Sequence, residues 1–150
     1  LGESYTKFVV EELRPFIEGK YRTMNGPENT AVMGSSMGGI ISFHIAWEHP
    51  DIFGMAGCLS PAFLVDDNEI IERVSRFDGP KLSVKFYMDM GTIGLEDEFS
   101  PGLKEMAGLL RSMGMIENID YMIFIDEGAE HDEEAWAKRL DFPLLFFFGE

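Results

Sequence analysis

Basic residues are scarce in this 150-residue chain: 12 Lys and Arg stand against 27 Asp and Glu, a formal net charge of −15. Nucleic-acid phosphates and anionic membrane surfaces would both be repelled, so neither is an expected partner. The acidity itself reads as a solvated surface. Cysteine is scarcer still. Cys58 is alone, which excludes an intrachain disulfide, and its apolar setting at positions 54–60 reads as core filler, not as a nucleophile. Long apolar runs are also missing. The greasiest stretch, positions 142–148, is too short for a bilayer and carries Pro143. No secretory signal pattern follows Leu1, and a soluble protein in the cytoplasm or outside the cell fits equally. Repeats, low-complexity tracts and long linkers are absent, so residues 1–150 read as one domain, with a truncated or minimal version of its fold as the alternative to a whole one. What is present is 45% hydrophobic and 13% aromatic, enough for a real core.

Apolar periodicity divides the chain into helices and strands in alternation. Tyr5, Phe8, Val9, Leu13, Phe16, Ile17 and Tyr21 follow helical spacing, with Pro15 expected to kink or divide the helix. Asn25-Gly26-Pro27 is a turn signal, and Thr30-Ala31-Val32-Met33 a short strand. Ile40, Ile41, Phe43, His44, Ile45 and Trp47 predict an amphipathic helix stopped before Pro50. Further strands are predicted near 55–59, 82–89 and 121–126. Helical signals lie around Ile70, Ile71 and Val74, then from Leu103 to Met113 with Gly114 as terminator, then from Asp132 through Trp136 and Leu140. Strands separated by helices imply an α/β layer with a mostly parallel sheet, whose sites lie outside the carboxyl ends of the strands.

At one such end stands Gly34-Ser35-Ser36-Met37-Gly38, a G-x-S-x-G sequence between a strand and a helix. That context is a nucleophile elbow, a turn so tight that a Cβ at Gly34 or Gly38 is expected to crowd it. It presents the hydroxyl of Ser36 at the positive end of the following helix. A serine hydroxyl needs a base, and histidine titrates in the working range. Of the three histidines, His44 is carried away along the elbow helix and His49 reads as a helix-end cap. His131, in the loop after the fourth predicted strand, is the expected base. A carboxylate must orient it. Asp89, Glu96, Asp97 and Glu98 all follow the third strand; Asp97 is preferred, then Glu96, although Asp97 and Glu98 also suit a helix's first turn. The order serine, acid, histidine is that of the α/β-hydrolases. The backbone N–H of Met37 would be an oxyanion donor. The cluster at positions 131–134 lacks a second histidine at ligand spacing, so a helix start is preferred to a metal site.

These residues resemble the esterase D-like, enterochelin esterase-like group of the α/β-hydrolases, and specifically its carboxyl-terminal two-thirds. The likeness runs through Glu11-Glu12-Leu13-Arg14-Pro15, Tyr21-Arg22, the 34–39 elbow, Pro50-Asp51-Ile52-Phe53-Gly54, Ser60-Pro61 and Asp89-Met90-Gly91-Thr92. It ends with Glu127-Gly128-Ala129-Glu130-His131, Ala135-Trp136 and Arg139-Leu140. It implies a three-layer α/β sandwich in which Ser36 is similar to the family nucleophile and His131 to its base. It also implies short acyl esters as small-molecule substrates, carried on a carbohydrate or siderophore, and no metal or organic cofactor.

Two departures qualify the likeness. The family acid usually follows the Gly-Thr pair by two positions, which here is Gly94. Relatives also carry roughly a hundred residues upstream, with early strands and a loop donating a second oxyanion N–H. Losing one such donor costs on the order of 3 kcal/mol in the transition state. Without neighbours the elbow strand is an open edge, so self-association through it is expected. The leading expectation is a serine carboxylesterase. The alternatives are an acyltransferase, or a catalytically idle binding module that keeps the elbow.

Overall fold

The structure, a computed structural model, describes residues 2–65 and 69–149. The chain begins with α1 (Glu3–Lys7), a π-helical segment (Phe8–Leu13) and α2 (Arg14–Lys20), forming one continuous helical stretch. Pro15 does not divide it. Proline has no N–H and its ring crowds the carbonyl four residues back, so the ladder widens ahead of it. The Arg14 N–H reaches the Val9 carbonyl, a five-residue step, and the helix resumes with Pro15 in its first turn.

Then follow β1 (Ala31–Ser35), α3 (Met37–Glu48), β2 (Met55–Leu59), α4 (Glu69–Ser75), β3 (Lys85–Met90) and α5 (Leu95–Ser112). Finally come β4 (Tyr121–Ile125), α6 (Glu133–Arg139) and α7 (Asp141–Phe148). The strands form a four-stranded, fully parallel sheet in the order β1-β2-β3-β4, with Ser35 beside Leu59 and Leu59 beside Asp89. Every residue of β2 is buried, whereas β1 at the sheet edge alternates between exposed and half-buried. Helices between parallel strands cover the faces, which is the α/β-hydrolase layering expected from the alternation.

The elbow helix departs from expectation in one respect. It is not amphipathic, because positions 42–47 are buried without a break. Phe43 stacks on Phe86 of β3 at 4.5 Å and on Trp47 at 5.7 Å, while Val9 of the π-helical segment joins the same apolar cluster. A helix buried on several sides loses its polar stripe. Cys58 is fully buried, and burial pushes its thiol far above the usual range, consistent with core filler. The greasy carboxyl-terminal stretch becomes α7, where Phe147 packs with Tyr87 and Met55.

Candidate active site

Three chain segments converge at the carboxyl ends of β1, β2 and β3. Ser36 sits between β1 and α3 with φ 54° and ψ −119°, a conformation L-residues rarely adopt. Its N–H continues the parallel ladder to the Leu59 carbonyl at 2.9 Å, and its carbonyl accepts from Gly39 and Ile40. The glycine requirement at the elbow is one-sided. A Cβ on Gly34 would lie 2.7 Å from the Gly38 carbonyl oxygen, but one on Gly38 would meet open space, contrary to the expectation of crowding at both. Gly39 is the other close approach, where a Cβ would stand 3.1 Å from Pro61.

His131 lies in the loop after β4, and its Nε2 is 2.9 Å from Ser36 Oγ. The ring is wedged edge-on between Phe99 at 5.4 Å and Trp136 at 5.0 Å, leaving its side chain 10% exposed. Its loop is stitched to the loop after β3. The N–H groups of Thr92 and Ile93 donate to the Ala129 carbonyl, and the Gly128 N–H donates to Thr92 Oγ1 at 2.8 Å. A Cβ on Gly91 would collide with that same Ala129 carbonyl, so glycine is what lets the two loops touch.

On the far side of the ring, Glu96 Oε1 is 3.5 Å from His131 Nδ1. Glu96 is wholly buried in the first turn of α5, while its neighbour Asp97 points to solvent and donates its N–H to the Gly94 carbonyl. The structure thus brings Glu96, not the preferred Asp97, to the histidine. A one-residue step along a helix rotates a side chain by about 100°, so only one of the two faces inward. Gly94, the position where relatives have their acid, opens the helix with φ 66°. Met37 is the first residue of α3, with its N–H at the helix's positive end beside Ser36.

His44 and His49 stand apart. His44 is buried on α3, and desolvation lowers its pKa against the opposing pull of Glu48. His49 closes the helix through its N–H to Ile45. Asp132 is the N-cap of α6, accepting from the Ala135 N–H at 2.8 Å, which is the helix-start reading of that acidic cluster.

Behind Glu96 lies a buried polar network that residue spacing hardly announces. Ser60, with φ 43° and no exposed surface, donates its hydroxyl to Glu96 Oε1 at 2.5 Å. Ser60 Oγ in turn accepts from Trp136 Nε1 and from Arg139 Nη2, each at 2.9 Å. Arg139 is 1% exposed and also reaches Asp89 Oδ1 at 3.1 Å. Asp89 further accepts from the Ser60 N–H at 2.9 Å and from the Tyr87 hydroxyl at 3.2 Å. Burial pushes the Asp89 carboxyl up to about 6; Arg139 and these hydrogen bonds pull it down without restoring its ordinary value. Asp89 is therefore the guanidinium's partner and does not approach the histidine. Trp136 and Arg139 lie three apart on the helix that follows His131, and that spacing was the available signal.

A family model described as "Putative esterase" matches residues 2–139. The chain belongs to this family. Among its relatives, it is 22% identical over its whole length to the YbbA protein of Bacillus subtilis (strain 168), of which it covers 61%. It is 26% identical, over 93% of its length, to an endo-1,4-beta-xylanase/feruloyl esterase of Xylanibacter ruminicola, of which it covers 17%. Among solved structures, it resembles the enterobactin esterase of Shigella flexneri with a TM-score of 0.81 at 15% identity, covering 96% of this chain and 38% of that one. It also resembles a ferulic acid esterase from Anaeromyces mucronatus with a TM-score of 0.70 at 23% identity, covering 97% of this chain and 54% of that one. The chain thus spans about three-fifths of its first curated relative, and these structural likenesses concern the fold.

Proposed function

We propose that the chain carries the catalytic half of a serine carboxylesterase, with Ser36 as nucleophile, His131 as base, Glu96 as the orienting acid and the Met37 N–H as oxyanion donor. The observation that carries this reading is the 2.9 Å contact between His131 Nε2 and Ser36 Oγ, with a buried carboxylate at the opposite ring nitrogen. With Glu96 facing Nδ1, the neutral ring holds its proton there and offers Nε2 as acceptor. As Ser36 Oγ attacks an ester carbonyl, its proton passes to Nε2 and Glu96 stabilises the imidazolium. The carbonyl oxygen, now negative, faces the Met37 N–H and the positive end of α3. Collapse of the tetrahedral intermediate expels the alcohol, which takes the proton from Nε2 and leaves Ser36 acylated. Water, deprotonated by His131, then releases the acid and frees the serine.

Short acyl esters on a carbohydrate or siderophore are the proposed substrates, in keeping with ferulic acid esterase and enterobactin esterase among the structural neighbours. An acyltransferase would share every step up to the acyl-enzyme and differ only in the acceptor. A catalytically idle module is favoured by one feature, the open edge of β1 immediately before the elbow.

A fluorophosphonate probe separates these readings, because it reports an activated serine without assuming a substrate. Intact-mass measurement is expected to show one adduct on the folded wild type, none on Ser36→Ala, and strongly slowed labelling on His131→Ala. An unlabelled, folded wild type would leave the idle module as the answer.

A further inference from the structure

Ser60 is an odd residue for its place. It occupies a left-handed conformation with φ 43°, where glycine would sit without strain, and it is completely buried directly after β2. What serine adds over glycine there is a hydroxyl, and every hydrogen-bonding capacity of that hydroxyl is in use. A hydroxyl has one proton and two lone pairs. Trp136 Nε1 and Arg139 Nη2 both donate to Ser60 Oγ, and neither group can accept, so the Ser60 proton has one destination, Glu96 Oε1.

The direction of this relay follows from its ends. Arg139 is cationic at every working pH and is itself held by Asp89 and Asp126. A hydroxyl polarised by a guanidinium is a stronger donor, so its bond to Glu96 Oε1 holds that side chain more firmly. Glu96 needs such help because its other oxygen, Oε2, is buried without a hydrogen-bond partner, and His131 Nδ1 is likewise without one. Among the described residues, the Ser60 hydroxyl is thus the one hydrogen bond that fixes the Glu96 carboxyl group.

We propose that Ser60 is a positioning residue of the site: it holds the Glu96 side chain aimed at His131, with Arg139 and Trp136 fixing the direction of its proton. This rests on the esterase reading above. It makes Ser60 act on the reaction solely through Glu96, touching neither Ser36 Oγ nor an incoming ester.

That restriction supplies the test. Ser60→Gly removes the hydroxyl and suits the backbone angle, and Ser60→Ala removes it while keeping the Cβ, so each checks the other for folding. Each is made in the wild-type and in the Glu96→Gln background, confirmed folded by circular dichroism, and assayed with the fluorophosphonate probe and p-nitrophenyl acetate. In the wild-type background, labelling rate and kcat are expected to fall on the order of 10²-fold with KM nearly unchanged. In the Glu96→Gln background the same substitutions are expected to change nothing further. A wild type that labels, with Ser60 variants that label equally fast, would overturn the positioning role while leaving the esterase reading intact. So would equal losses in both backgrounds, which would mark Ser60 as structural only. A wild type that does not label defeats the esterase reading itself.

Discussion

At the residue scale, the choice among carboxylates turns on which side of a helix each one occupies. Glu96 and Asp97 are adjacent in sequence, equal in charge and both in the first turn of α5, yet one is buried against His131 and the other is solvated. Glu96→Gln is therefore expected to slow phosphonylation of Ser36 by about 10³- to 10⁴-fold, the scale seen when a triad acid loses its charge. Asp97→Asn is expected to leave the rate within about twofold, since an exposed first-turn acid contributes mainly to the helix dipole. Labelling rates of the two variants side by side decide it; equal losses would return the acid to an open question. The serine and the histidine were legible in sequence because glycine spacing and loop position announce them. Which carboxylate approaches His131 was not, because a run of three acids at positions 96–98 says nothing about the phase of the helix they begin.

At the element scale, the parallel sheet was readable from the alternation of strands and helices, whereas the edge position of the elbow strand was expected from the family resemblance; β1 does lie at the sheet edge. What stayed hidden was how Pro15 is absorbed: a wider hydrogen-bond step keeps the helix whole, and no propensity scale distinguishes that from a break. The edge makes its own prediction. Because the Ser36 N–H turns inward to Leu59, alternation directs the N–H groups of Ala31, Met33 and Ser35 outward, where no strand pairs with them among the described residues. Such a row invites a second copy of the chain. Light scattering is expected to show mass above the monomer that grows with concentration, and Ala31→Pro is expected to abolish it. Proline there deletes one outward donor, and Thr30, at φ −122° and ψ 114°, already has the extended backbone that a residue before proline requires. A wild type that stays monomeric throughout would remove self-association.

At the scale of the whole molecule, charge and burial act in the same direction. A net charge of −15 repels itself increasingly as carboxyls ionise, and one buried carboxyl adds to that trend. Asp89 is held near 6 in the fold against 3.8 for the ordinary side chain, so the folded state binds its proton more tightly than the unfolded chain does. Its contribution to stability is complete below about pH 4 and is lost as pH rises through about 6. Two units amount to on the order of 3 kcal/mol. Urea unfolding at pH 4 and pH 7 is expected to show wild type losing about that much more stability than Asp89→Asn across the interval. Parallel losses would mean that Asp89 ionises in the fold as freely as in the open chain. No sequence pattern foretold this, because burial of Asp89 depends on Arg139, fifty residues away and on another element.

Consecutive residues at the end of β2 hold opposite sides of the site. The Leu59 carbonyl anchors the Ser36 backbone, and the Ser60 hydroxyl anchors Glu96. A slide or tilt of β2 therefore carries Ser36 and Glu96 in common, and their separation is insensitive to breathing of the sheet. The imidazole is hung instead from the loop after β4, so its place depends on a separate set of contacts. The contacts that clamp that loop and ring, from Thr92, Phe99 and Trp136, therefore set the alignment of the imidazole with the other two.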